Sequence, residues 1–160
     1  MTFSDFALSE HLLRAVEALD FKTPTTIQEL MIPQLLDETN DVVGLAHTGT
    51  GKTAAFGLPV IEHIDIEERS PQALVLCPTR ELCIQITGEL QLYGAQLPGL
   101  KITSVYGGDS YERQKRELKR GIHILVATPG RLLDLINRKN ADISNIRFLI
   151  LDEADIMLNM

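Results

Sequence analysis

Cysteine is scarce in this chain: Cys77 and Cys83 are the only two, without CxxC spacing or nearby histidines. Neither a disulfide framework nor a zinc site is expected from them. No apolar run approaches the roughly 20 residues needed to cross a bilayer, so a membrane partner is not expected. The opening residues, MTFSDFALSEHLL, have neither the basic start nor the apolar centre of a secretory signal. Reduced thiols and a cytoplasmic location follow as the expectation. Positive charge is in deficit as well: 15 Lys and Arg against 22 Asp and Glu leave a net charge of −7. That disfavours a globally basic nucleic-acid binder, although phosphate contacts need only a local basic face. Low-complexity segments, repeats and linker-like stretches are missing too.

What is present fits one well-packed soluble domain: 160 residues, 44% hydrophobic and 23% charged. Five short runs rich in Val, Ile and Leu, at 41–46, 73–78, 102–107, 122–128 and 147–152, predict strands covered on both faces of a parallel sheet. Helical patterns lie between them. SEHLLRAVEAL repeats Leu12, Leu13, Val16 and Leu19 behind Ser9, a candidate N-cap. TIQELMIPQLL is expected to open with a Thr26–Glu29 capping box and to kink at Pro33. GKTAAFGLPVIEHI, RELCIQITGELQLY, SYERQKRELKR and GRLLDLINR complete the set. The expectation is an α/β domain with a mostly parallel sheet sandwiched between helices. Ligands of such sheets sit at the carboxyl ends of the strands.

Two stretches fall at those ends. In AHTGTGKT (46–53), Gly49 and Gly51 allow positive φ, which turns backbone N–H groups toward an anion. The helix N-terminus that follows adds partial positive charge. Lys52 can reach β- and γ-phosphates, and the Thr53 hydroxyl can hold Mg²⁺. The strict GxxxxGK[ST] pattern wants glycine where this chain has Ala46. His47 is read as a solvent-facing filler. In the second stretch, FLIL leads into Asp152 and Glu153. Asp152 suits Mg²⁺ held through its water shell, and Glu153 suits orienting or deprotonating a water that attacks the γ-phosphate. An acidic helix start would explain these carboxylates equally well if they stood alone. Beside a phosphate loop, hydrolysis of ATP or GTP is the chemistry they suit.

The order of motifs resembles the DEAD-box RNA helicases. Asp152-Glu153-Ala154-Asp155 spells the name-giving motif, and 46–53 is similar to the family's phosphate loop, alanine included. PTRELCIQ (78–85) resembles motif Ia, Gly107-Gly108 the GG doublet and TPGR (128–131) motif Ib. FKTPTTIQ (21–28) resembles the Q motif, with Phe3 at the upstream aromatic position. Asp20 stands where the family usually has glycine, so the local turn is expected to differ.

The resemblance implies an N-terminal RecA-like domain over residues 1–160, with the Q motif at 1–28. It places this domain in an RNA-stimulated ATPase that clamps single-stranded RNA and locally melts duplexes. ATP and Mg²⁺ are the implied cofactors. Phe21 would pack on the adenine and Gln28 would read its edge, with Thr48, Gly49, Thr50, Gly51, Lys52 and Thr53 on the phosphates. Lys52, Asp152 and Glu153 would be catalytic; Thr53 and Asp152 would hold the metal. Thr79, Arg80, Gly108, Thr128 and Arg131 would face RNA, as Arg and Thr at loop starts contact phosphates without reading bases. Asp155 would couple to a second RecA-like domain of the same protein, which this chain lacks. Without that domain's arginine finger the chain is expected to bind nucleotide, as a monomer, with almost no activity. The basic helix with Arg113, Lys115, Arg116, Lys119 and Arg120 reads first as a solvated face. Two other readings compete. A kinase or transporter ATPase would have the loop but no reason to carry the other motifs in series, and a non-enzymatic docking module would not need Lys52.

Overall fold

The computed structural model describes residues 1–160, which fold as two compact units, Met1–Ile64 with Glu89–Pro98 and Asp65–Gly88 with Gly99–Met160. In the first unit a 3₁₀ turn (Phe3–Asp5) precedes α1 (Glu10–Ala18), α2 (Thr26–Leu36) and α3 (Lys52–Glu62). Helix α1 buries Leu12, Ala15 and Val16, the i, i+3, i+4 stripe of an amphipathic helix. Ser9 occupies its N-cap position as expected, without a side-chain capping bond, and its N–H donates to Glu62 at 2.8 Å. Helix α2 packs along α3 and continues through Pro33 to Leu36.

The capping box of α2 sits one residue earlier than its sequence implies. Thr25, not Thr26, is the N-cap, and Gln28 reaches back to the Thr25 N–H at 2.9 Å. Adjacent threonines followed by Gln28 and Glu29 permit either register. Burial decides between them: Gln28 is buried while Glu29 stays exposed, and an amide is far cheaper to bury than a carboxylate.

The second unit holds the sheet. Its strands are β1 (Ala73–Leu76), β2 (Ile102–Val105), β3 (Ile124–Ala127) and β4 (Phe148–Leu151), all parallel, in the order β2-β3-β1-β4. Ala73 registers with Ile124 and with Phe148, and Ile102 with Ile124. Parallel neighbours require helical crossovers. These are α4 (Arg80–Tyr93, of which 80–88 belong to this unit), α5 (Tyr111–Lys119) and α6 (Pro129–Asn137), and a short α7 (Ala154–Leu158) follows β4. Leu74, Val105, Leu125 and Ala127 of the strands pack with Leu132 and Leu135 of α6, flanked by Tyr111 and Leu118 of α5. Each fully buried leucine of this kind stabilises by about 1.5–3 kcal/mol. The architecture is the expected α/β arrangement, a parallel sheet sandwiched by helices as in RecA-like P-loop proteins.

One expected strand is not there. Residues 41–46 are irregular, with Val43 87% and Leu45 90% exposed. Their composition suits a strand, but none of the four strands pairs with them. A lone extended segment cannot satisfy its own backbone, so it gains no ladder.

Candidate functional site

In the first unit the site begins at the loop that opens α3. Gly49 (φ +76°) and Gly51 (φ +84°) both lie in the left-handed region, so the loop doubles back within a few residues. Thr50 Oγ1 donates to His47 O at 2.6 Å and fixes the turn, while the His47 side chain is exposed as expected. Gly51 is the N-cap of α3, and Lys52 and Thr53 are its first residues. The first-turn N–H groups of a helix have no partner within it, and here they stand beside a cation and a hydroxyl. These donors fit a polyphosphate. Thr53 also offers the hard oxygen that Mg²⁺ prefers.

The Q-motif glutamine is tied to this loop. Gln28 accepts the Thr25 N–H through Oε1 and donates from Nε2 to Gly51 O at 3.1 Å. One N–H and one lone pair of the amide remain uncommitted by these bonds. A Cβ at Gly51 would come within 2.4 Å of Gln28 Nε2. Half-buried Phe21 stands between Phe3 and Tyr93, ring centroids 6.1 and 6.3 Å away. Beside it lies a cavity of about 260 Å³ lined by Phe3, Leu13, Val16, Asp20 and Lys22. Asp20 itself has φ +58°. That is the left-handed region, which glycine adopts without strain and an aspartate does not.

In the second unit the candidate RNA-facing residues and the carboxylates follow the carboxyl ends of the strands. After β1, Thr79 Oγ1 accepts the Leu82 N–H at 3.2 Å and so caps α4. Arg80 then reaches across to Gly108 O at 3.4 Å, with its guanidinium 5.1 Å from the Tyr106 ring centroid. After β2, Gly108 has φ +83°, and a Cβ there would meet Arg80 Nη1 at 3.2 Å. After β3, Thr128 caps α6 and its N–H donates to Val105 O at 3.1 Å. Arg131 Nη1 donates to Asp109 O at 3.1 Å and to Gln114 Oε1 at 2.9 Å. The loops after β1, β2 and β3 thus form one connected edge.

After β4, the Asp152 N–H donates to Leu76 O at 2.9 Å, which extends the β1–β4 ladder by one bond. The next residue turns sharply: Glu153 has φ 53° and caps α7, its N–H donating to Asp152 Oδ1 at 3.1 Å. A left-handed non-glycine residue costs roughly 1–2 kcal/mol, and such strain concentrates at functional sites. Asp155 is exposed, and only its backbone carbonyl takes the Asn159 amide. No cluster of three or more His, Cys, Asp or Glu could hold a metal by itself.

Charge on this edge is partly compensated. Asp109 lies below the ordinary carboxylate value because the Ser110 N–H, and then Arg113, favour its charged form. Arg113 pairs with Asp109 and Arg120 with Glu117, as a solvated helix face should. The thiol of Cys83 is pushed far up by its hydrogen bond to Cys77 and by burial, and both cysteines are buried away from solvent, as inert structural thiols are. Sequence reasoning passed over Gln114 and Tyr106. The available signal was a single buried amide among the charges of α5, on the same face as Tyr111 and Leu118.

Residues 25–160 match the family model described as DEAD/DEAH box helicase. The chain is 49% identical over 160 residues to an ATP-dependent RNA helicase DeaD of Haemophilus influenzae and 54% identical over 160 residues to a DEAD-box ATP-dependent RNA helicase CshA of Streptococcus pneumoniae. It is covered in full by both and spans 26% and 30% of their lengths. The crystal structure of a DEAD box protein from the hyperthermophile Methanococcus jannaschii superposes on the whole chain. Its TM-score is 0.94 at 42% identity, with 43% of that chain covered.

Proposed function

The chain belongs to the DEAD/DEAH box helicase family, as its N-terminal RecA-like domain, and from that premise we propose that it is the ATP-binding part of an RNA-stimulated ATPase. The enzyme clamps RNA between this domain and a second RecA-like domain of the same protein and melts duplexes locally. The observation that carries the reading is the bond from buried Gln28 to the carbonyl of Gly51, which joins the Q motif to the phosphate loop.

In this reading adenine packs on Phe21, and the uncommitted N–H and lone pair of Gln28 meet its edge. Thr48, Gly49, Thr50 and Gly51 cradle the phosphates with backbone donors, and Lys52 takes the β- and γ-oxygens. Thr53 and, through water, Asp152 would hold Mg²⁺, which when bound neutralises charge on those oxygens. Glu153 accepts a hydrogen bond from the attacking water. It takes the proton as that oxygen bonds to the γ-phosphorus and the bond to the β–γ bridging oxygen breaks. Thr79, Arg80, Gly108, Thr128 and Arg131 face the RNA backbone, so little sequence preference arises here. Asp155 couples the site to the second domain. The protein works as a cytoplasmic monomer.

Substituting Lys52 tests this reading. In the intact protein, Lys52→Ala is expected to lower ATP hydrolysis by at least about 100-fold, and the wild-type site should prefer ATP to GTP. Undiminished hydrolysis by Lys52→Ala, or a preference for GTP, would contradict the assignment and favour a docking role or another P-loop enzyme.

A further inference from the structure

We infer that Gln114, which lies outside every motif named above, is a positioning residue that holds Arg131 and the glycine loop in the geometry RNA requires. Helix α5 reads YERQKRELK, and amid its charges Gln114 is 1% exposed. A buried amide is costly unless both ends are bonded, and both are. Nε2 donates to Tyr106 O at 3.0 Å, and Oε1 accepts from Arg131 Nη1 at 2.9 Å.

These bonds complete a pattern along the loop after β2. The carbonyl of Tyr106 is taken by Gln114, that of Gly108 by Arg80 and that of Asp109 by Arg131. Three helices therefore each contribute one donor to the loop 106–109. Unpaired carbonyl oxygens at this edge would repel phosphate, and these three are already occupied. Gln114 is also the one group that bonds both the loop and the Arg131 guanidinium. Its loss removes one of the two hydrogen bonds that hold the arginine and leaves the Tyr106 carbonyl unpaired.

The inference rests on the reading of this edge as RNA-facing, and the experiment separates the two. RNA-stimulated ATP hydrolysis is measured on the intact protein across RNA concentrations, using a single-stranded oligoribonucleotide. Gln114→Met, which keeps length and loses both bonds, is expected to raise the KM for RNA by about tenfold while kcat at saturating RNA is retained. Combined with Arg131→Ala it should add less than about twofold, because both changes break one unit. If Gln114→Met loses its cooperative melt, Gln114→Glu carries the test. It keeps the acceptor for Arg131 and loses the donor to Tyr106, and is expected to raise KM by about threefold.

A KM unchanged by the folded variant while Arg80→Ala raises it would overturn the role of Gln114. So would full multiplication of the Gln114 and Arg131 effects. If Arg80→Ala and Arg131→Ala themselves leave KM for RNA unchanged, the RNA-facing reading fails instead.

Discussion

Asp20 shows how a single backbone angle can be more informative than a side chain. It occupies φ +58° directly before Phe21 and pairs with Lys22 at 2.5 Å. Glycine takes that conformation without steric cost, although it loses more freedom on folding. Asp20→Gly is therefore expected to stabilise the chain by about 0.5–1 kcal/mol, read as a rise in the midpoint of thermal unfolding. A lower midpoint would mean that the Lys22 pair outweighs the strain. At the same scale, the family resemblance implied that Gln28 reads the adenine edge. Its bonds to Thr25 and Gly51 show that it is both cap and tether. The tether was illegible because the two residues are 23 positions apart and nothing local signals it. Glu153 is similar: its carboxylate was singled out, but its left-handed backbone was not, since no glycine or asparagine marked the turn.

Periodicity exposed most of the elements. All six helical patterns became helices near their expected bounds, because each combines an apolar stripe with a start signal that acts locally. Strands are different, since a strand exists only with a neighbour. Four of the five apolar runs found one, and 41–46 did not. Within the sheet the same physics grades the strands: β3, paired on both sides, is buried throughout, whereas β4 alternates and leaves Leu149 60% and Leu151 49% exposed. Hydrogen exchange on the 160-residue chain should separate these cases. Amides of Ile124–Ala127 are expected to exchange only when the sheet opens, and those of 42–46 at nearly the rate of an unstructured peptide. Protection at 42–46 matching β3 would show that this segment has a partner strand after all.

Across the whole molecule, the sequence marks candidate residues more readily than the contacts between them. The carboxylates after β4 and the residues past β1, β2 and β3 were legible as motifs because each sits where a strand meets a helix, and the loop at 46–53 because its glycines and Lys52 open a helix. What joins the loops past β1, β2 and β3 was not: Arg80 to Gly108, Arg131 to Asp109, and Gln114 to Tyr106 and Arg131. Those bonds depend on three-dimensional proximity that only the sheet order β2-β3-β1-β4 creates. The chain also spans only 26–30% of the relatives described above, and the proposed enzyme needs a second domain to supply its arginine finger. A missing finger lowers the rate by roughly 10³–10⁵-fold. The most direct test is ATP hydrolysis with and without RNA, by the intact protein and by the 160-residue chain side by side. RNA stimulation of at least about tenfold in the intact protein, with nucleotide binding but no measurable stimulation in the chain, is the predicted result. An intact protein indifferent to RNA, or a 160-residue chain that unwinds duplexes alone, would contradict it.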